Sequence, residues 1–221
     1  MDKRYFIYRF LTIASLLSGI ILNLTNTSRP AILMLYYTMQ SNLVCLVILV
    51  FFTIRKKVKK NIYNVCKGAI TIAILLTAIV YLVALLPNDF PMYKVSEGIT
   101  GKAIGNILVH IVSPVLVVLD YLILDEKGTY KIYYPWLWLI LPGAYVCFVY
   151  LFHAKGGVFY SIGGSREFAY FFLDYKVLGI KGIVYWIIGI AIFILTLGYL
   201  LIAIDKKLAR KKSHPLNRDR V

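Results

Sequence analysis

The sequence predicts an all-α polytopic membrane protein, a bundle of six transmembrane helices with both termini cytoplasmic. Three observations carry that prediction. First, 60% of the 221 residues are hydrophobic and only 16% are charged, where soluble domains run nearer 45–50% and 25%. Second, the apolar residues fall into six long runs, at 6–24, 31–54, 65–86, 101–124, 135–153 and 181–204. Each reaches or approaches the roughly 20 residues that cross a bilayer. Third, the formal charge of +15 is unevenly spread between the loops. Disorder is excluded by the apolar content. A lipid-facing barrel is excluded because its strands would alternate over about ten residues.

Lys3, Arg4 and Arg9 open the first run. Its length and the lack of a clear small-residue cleavage site mark a retained helix rather than a signal peptide. The second run ends at the basic stretch Arg55–Lys60, and the third begins beyond it. The fourth starts at Gly101, and the fifth at Tyr134-Pro135. The sixth runs into a basic tail, 205–221. Inner segments thus hold most of the 25 Lys and Arg, which puts the N- and C-termini inside. The basic runs read as topology determinants that touch anionic lipid headgroups. Nucleic acid is not an expected partner, since a short loop against the bilayer offers no groove. A single domain, 1–221, accounts for the whole chain.

The longest outer segment, 154–180, carries Gly156, Gly157, Gly163 and Gly164 and then an aromatic run. Two readings stand: a fold over the bundle mouth, or an interfacial tether. Cys45, Cys66 and Cys147 show no disulfide or zinc spacing, and no cofactor or metal is expected.

Polar residues inside apolar runs are costly and tend to mark sites. The second span carries Thr38, Ser41, Asn42 and Cys45 at i, i+3, i+4 and i+7, one helical face. The fourth carries Lys102, Asn106, His110, Ser113 and Asp120 within about 80° of arc. Both stripes also suit helix packing. Pro114 lacks the N–H that would bond the His110 carbonyl, so a bend is expected beside the histidine. Asp120 lies about 15 Å further along and reads as a helix cap or a partner for a loop lysine. Counted from the start of each run, Thr38 and His110 both lie roughly 10–14 Å below the outer boundary.

A hydroxyl becomes nucleophilic when an adjacent base takes its proton, and neutral imidazole suits that role. Thr38 with His110 is therefore the candidate catalytic dyad for acyl transfer. Ser41, Asn42, Asn106 and Ser113 are the candidate oxyanion or positioning groups. Asp174 and Asp89 are candidate outer-side acids, with neither clearly placed as a third member. A substrate arriving from the bilayer would be a membrane lipid or lipid ester.

The pattern resembles the androgen-induced-gene and androgen-dependent TFPI-regulating protein family of six-span membrane proteins and its bacterial relatives. The matching pieces are Tyr37-Thr38-Met39-Gln40-Ser41-Asn42, His110-Ile111-Val112-Ser113-Pro114 with Asp120, and Tyr134-Pro135 with Pro142-Gly143-Ala144-Tyr145. Phe171-Phe172-Leu173-Asp174 and Gly179 complete them. The resemblance implies a threonine- and histidine-dependent carboxylic ester hydrolase with Thr38 and His110 as its catalytic pair. It also implies a substrate like a fatty acid ester of a hydroxy fatty acid. Glu167–Phe172 departs from the proline-rich aromatic pattern of the bacterial relatives. Abundant Lys, Ile and Tyr point to a low-GC bacterium and its cell membrane. The rival readings are a small-molecule transporter or channel and a non-catalytic scaffold. A transporter predicts ionisable residues deep on several helices; for a scaffold, the Gly182/Gly189 spacing would serve packing.

Overall fold

The structure, a computed structural model, describes residues 3–55, 57–87, 100–161 and 164–213. The chain forms α1 (Lys3–Thr25), a short α2 (Pro30–Leu33), α3 (Tyr37–Ile54) and α4 (Lys60–Val80). Next come α5 (Gly101–Ile107), α6 (Ser113–Leu124), α7 (Tyr134–Trp138), α8 (Ile140–Ala154) and α9 (Tyr175–Ser213). Joined end to end, these make six helical segments long and apolar enough to cross a membrane. The molecule is an all-α polytopic bundle, with one small addition: strands Phe159–Ser161 and Gly164–Arg166 pair antiparallel in the segment before α9.

One end of the bundle is basic. There Lys60 meets Glu126, Tyr63 meets Asp125, and Asp205 accepts from Tyr121 and from the Tyr130 backbone. Arg55, Lys57, Lys59, Lys206 and Lys207 lie exposed around it. The other end carries Thr38, the hairpin and the start of α5.

Two of the six crossings contain a π-helical turn. α4 continues into a π-helical turn at Tyr81–Leu85, where the Leu86 N–H reaches back five residues to the Tyr81 carbonyl at 2.7 Å. α5 and α6 are joined by another at Leu108–Val112, where the Ser113 N–H bonds the Leu108 carbonyl. The second turn sits where Pro114 deprives His110 of its helical donor. The helix widens to find other partners, and such turns are frequent at functional sites.

Three expectations change. The second apolar run is not one helix: it breaks at Met34–Tyr36, and α3 starts at Tyr37. Thr38 is therefore the second residue of its helix, not seven residues in. Arg9 and Lys67, which by position count with the inner-side basic residues, are both fully buried in the bundle. Asp120 lies inside the bundle rather than at a helix end. Its carboxylate lies 2.6 Å from Arg9 Nε and pairs with Lys67. Asp125 stands 3.9 Å from Arg9 and 3.6 Å from Lys67, so two cations and two carboxylates balance.

The segment before α9 folds over the bundle mouth. Phe159, Phe168, Ala169, Tyr170, Phe172 and Leu173 are all buried, and the Tyr36 hydroxyl donates to the Tyr160 carbonyl at 2.6 Å. Asp174 Oδ1 accepts from the Lys176 N–H at 2.9 Å, an N-cap that starts α9. Gly179 then turns the chain with φ 66°, a conformation that costs a glycine little.

Candidate active site

Thr38 lines a cavity of about 210 Å³. Its back wall is α3 and α4, through Thr38, Leu76, Thr77 and Val80. Its roof is Tyr170, Phe172 and Leu173 from the returning segment. Its sides are Pro142, Gly143 and Val146 of α8 and Ile187, Ile190, Ala191 and Ile194 of α9. The lining is almost wholly apolar, so the few polar groups in it orient whatever binds.

Those groups gather at the start of α3. The first N–H groups of a helix have no partner one turn earlier. Here the Tyr170 hydroxyl lies against the Thr38 hydroxyl and against the backbone N–H groups of Tyr37 and Thr38. Burial pushes the Tyr170 phenol above its ordinary pKa, and those neighbours pull the other way; the phenol stays protonated near neutral pH and is available as a donor. The Tyr37 and Tyr145 rings pack edge to face at 5.1 Å, closing the same corner.

His110 is buried at 7% exposure, its ring stacked on Tyr81 with centroids 3.6 Å apart. Each of these rings belongs to one of the two π-helical turns. Nδ1 of His110 is buried without a hydrogen-bond partner among the described residues, and His110 is not among the residues that line the cavity. Thr38 and His110 are linked through Asn42, whose Nδ2 donates to the Thr38 carbonyl at 2.8 Å and to the Val109 carbonyl at 3.3 Å. That bridge sets residue 42 level with residue 109 on two helices running the same way. Thr38 then sits about one turn, roughly 6–8 Å, nearer the mouth than His110. The equal depth expected from the sequence becomes a one-turn offset because α3 starts later than the apolar run.

The other predicted residues separate. Ser41 donates to the Thr38 carbonyl at 3.1 Å and shares a 2.7 Å hydroxyl pair with Thr77, pinning α3 to α4 behind the cavity. Asn42 is buried, with its Oδ1 unpartnered among the described residues. Asn106 is half-buried one turn toward the mouth from His110 and has an interaction of its own. Ser113 bonds Ser15 of α1 at 2.9 Å, away from Thr38. The fourth-span stripe therefore divides: His110 faces Tyr81, while Ser113 and Asp120 face α1. A π-helical turn within the stripe breaks the 3.6-residue phase on which the arc was counted. Asp174 caps α9, and Asp89 lies outside the described residues.

Sequence reading gave no site role to Tyr81, Tyr170 and Thr77, nor to Tyr145, which it named only within a matching piece. With 18 tyrosines in the chain, no local signal singles these out; only the fold brings them to Thr38 and His110. Comparison with family models, curated proteins and solved structures returned no match.

Proposed function

We propose that this chain is a membrane-embedded carboxylic ester hydrolase acting on a lipid ester, with Thr38 as nucleophile and His110 as base. The observation that carries the proposal is the Thr38 hydroxyl, set at a helix N-terminus and facing an apolar cavity. In the proposed reaction Thr38 Oγ attacks the ester carbonyl carbon. Its proton passes to His110, through one bridging water across the one-turn offset. The Tyr37 and Thr38 N–H groups and the Tyr170 phenol stabilise the oxyanion, aided by the positive end of α3. Collapse breaks the ester C–O bond, and the leaving alkoxide takes the proton from His110. Water, deprotonated by His110, then cleaves the acyl-threonine and restores the hydroxyl.

The resemblance to the androgen-induced-gene family supports the same pair, and the proposed location is a bacterial cell membrane with the basic end against anionic headgroups. The buried Arg9, Lys67, Asp120 and Asp125 cluster spans three crossings, as a transporter would require. It is charge-balanced, with the Asp120 carboxylate pairing both Arg9 and Lys67, which favours a structural role. Gly189 has open space at its Cβ position among the described residues.

The test is hydrolysis of a long-chain lipid ester by purified protein in detergent. Thr38→Ala and His110→Ala are expected to lose turnover while eluting as folded protein. Wild-type turnover in both variants, or none in the wild type, would overturn the proposal.

A further inference from the structure

We infer that the hydrocarbon chain of a membrane lipid enters this cavity sideways from the bilayer, through a gap between α8 and α9. The inference deepens the ester-hydrolase reading and rests on it only for what happens at Thr38. α9 packs on α4 and α7, and α8, which continues the crossing that α7 begins, touches α4; α8 and α9 both line the cavity, which lies between them. Gly143 of α8 lines the cavity and is also exposed, so the cavity reaches the surface there. An added Cβ at Gly143 would meet nothing within 4 Å. Across the gap stands Ala191 of α9, half-buried and small.

The position of this opening decides what can use it. Gly143 falls near the middle of the Tyr134–Ala154 crossing, about 16 Å from its far end. Beside the lining residues on α8 and α9 stand Ile140, Ile188 and Ile192, each at least half exposed. At that depth the surroundings are hydrocarbon, so neither water nor a headgroup is the natural visitor. The cavity is also elongated along the bundle. On α9 it runs from Ile187 to Ile194, and on α4 from Leu76 to Leu85 at the end of its π-helical turn, roughly 10–14 Å. An acyl chain fits that shape, with its ester at Thr38, level with about Val80, and its methylenes directed past Leu76 and Ile194 toward the membrane centre. The apolar lining on that side of Thr38 gives the chain this orientation.

The test reads occupancy without hydrolysis, so it can fail separately from the catalytic proposal. Thr38→Ala protein is placed in vesicles of phosphatidylcholine carrying a diazirine midway along one acyl chain. After photolysis the adducts are mapped by mass spectrometry. Leu76 and Thr77 are at most 4% exposed and do not face the bilayer, yet both line the cavity. The inference expects adducts on them. It expects those adducts to vanish in Gly143→Phe and in Ala191→Phe, either of which plugs the gap. Ala144→Phe, on the exposed lipid side of α8 and outside the cavity, should keep them. Adducts confined to Ile140, Ile188 and other lipid-facing residues would overturn the inference. So would Leu76 and Thr77 adducts that survive both plugs. Adducts of the expected pattern in a protein that hydrolyses no ester would leave the lateral entry standing and remove the hydrolase.

Discussion

Replacing Asp120 with alanine should be among the most damaging single changes in the bundle. Asp120 is fully buried and holds both Arg9 and Lys67, themselves fully buried. Its removal leaves two cations facing one carboxylate, Asp125, at 3.9 and 3.6 Å. Breaking a buried ion pair from one side costs about 3–5 kcal/mol. At about 2–4 °C per kcal/mol for a chain of this size, that is a Tm loss of about 6–20 °C. The double change Lys67→Met with Asp120→Leu restores the balance, leaving Arg9 with Asp125. Apolar replacement of a buried pair is often neutral or better, so the double variant should unfold within about 1 kcal/mol of wild type. The assay is thermal unfolding in detergent, followed by maleimide labelling of buried Cys45 with Cys66 and Cys147 changed to serine. A single variant as stable as wild type would refute the charge-balance argument. A double variant no better than the single one would do the same.

Tyr170→Phe keeps the roof and removes the hydroxyl beside Thr38; kcat for a lipid ester should fall on the order of 100-fold with KM little changed, as steady-state kinetics would show. Ser41→Ala breaks the hydroxyl pair with Thr77 and should cost about 0.5–1.5 kcal/mol in the same unfolding assay. Lys176 holds the exposed Glu167 carboxyl below its usual range by a hydrogen bond, with His153 adding to the effect. A depressed carboxylate contributes above its unfolded pKa of about 4.3 and stops contributing as pH falls through the folded value. Proteolysis of the 154–174 segment should therefore speed up in acid, below about pH 4, and less so in Lys176→Ala. Gly68→Leu should fail to fold, because a Cβ there would overlap the Trp138 ring; loss of the monodisperse elution peak is the readout.

The six crossings are legible in the sequence because apolar runs of that length have one physical explanation. Their edges are less so. Residues 31–36 are as apolar as residues 37–54, and nothing in them announces the break before Tyr37. The proline signal is sound: Pro114 does disturb the helix at His110, and the response is a wide turn rather than a bend alone. Composition does not supply partnership. Asp120 reads as a surface group because the two cations that bury it lie 111 and 53 positions away in the chain, on other helices. Tyr170 is one aromatic among many until the segment folds back onto α3. Thr38 stands out by its place in a polar stripe. Its cavity belongs to α4, α8, α9 and the roof, and only the tertiary fold assembles it.

The central claim is that Thr38 is the nucleophile, and covalent trapping tests it most directly. A long-chain alkyl fluorophosphonate is incubated with the protein in detergent, and the modified peptide is located by mass spectrometry. The account predicts a phosphonyl group on Thr38 Oγ with loss of fluoride, slower labelling in His110→Ala and none in Thr38→Ala. Active protein that carries its adduct on another residue, or Thr38→Ala labelled and turning over as fast as wild type, would contradict it.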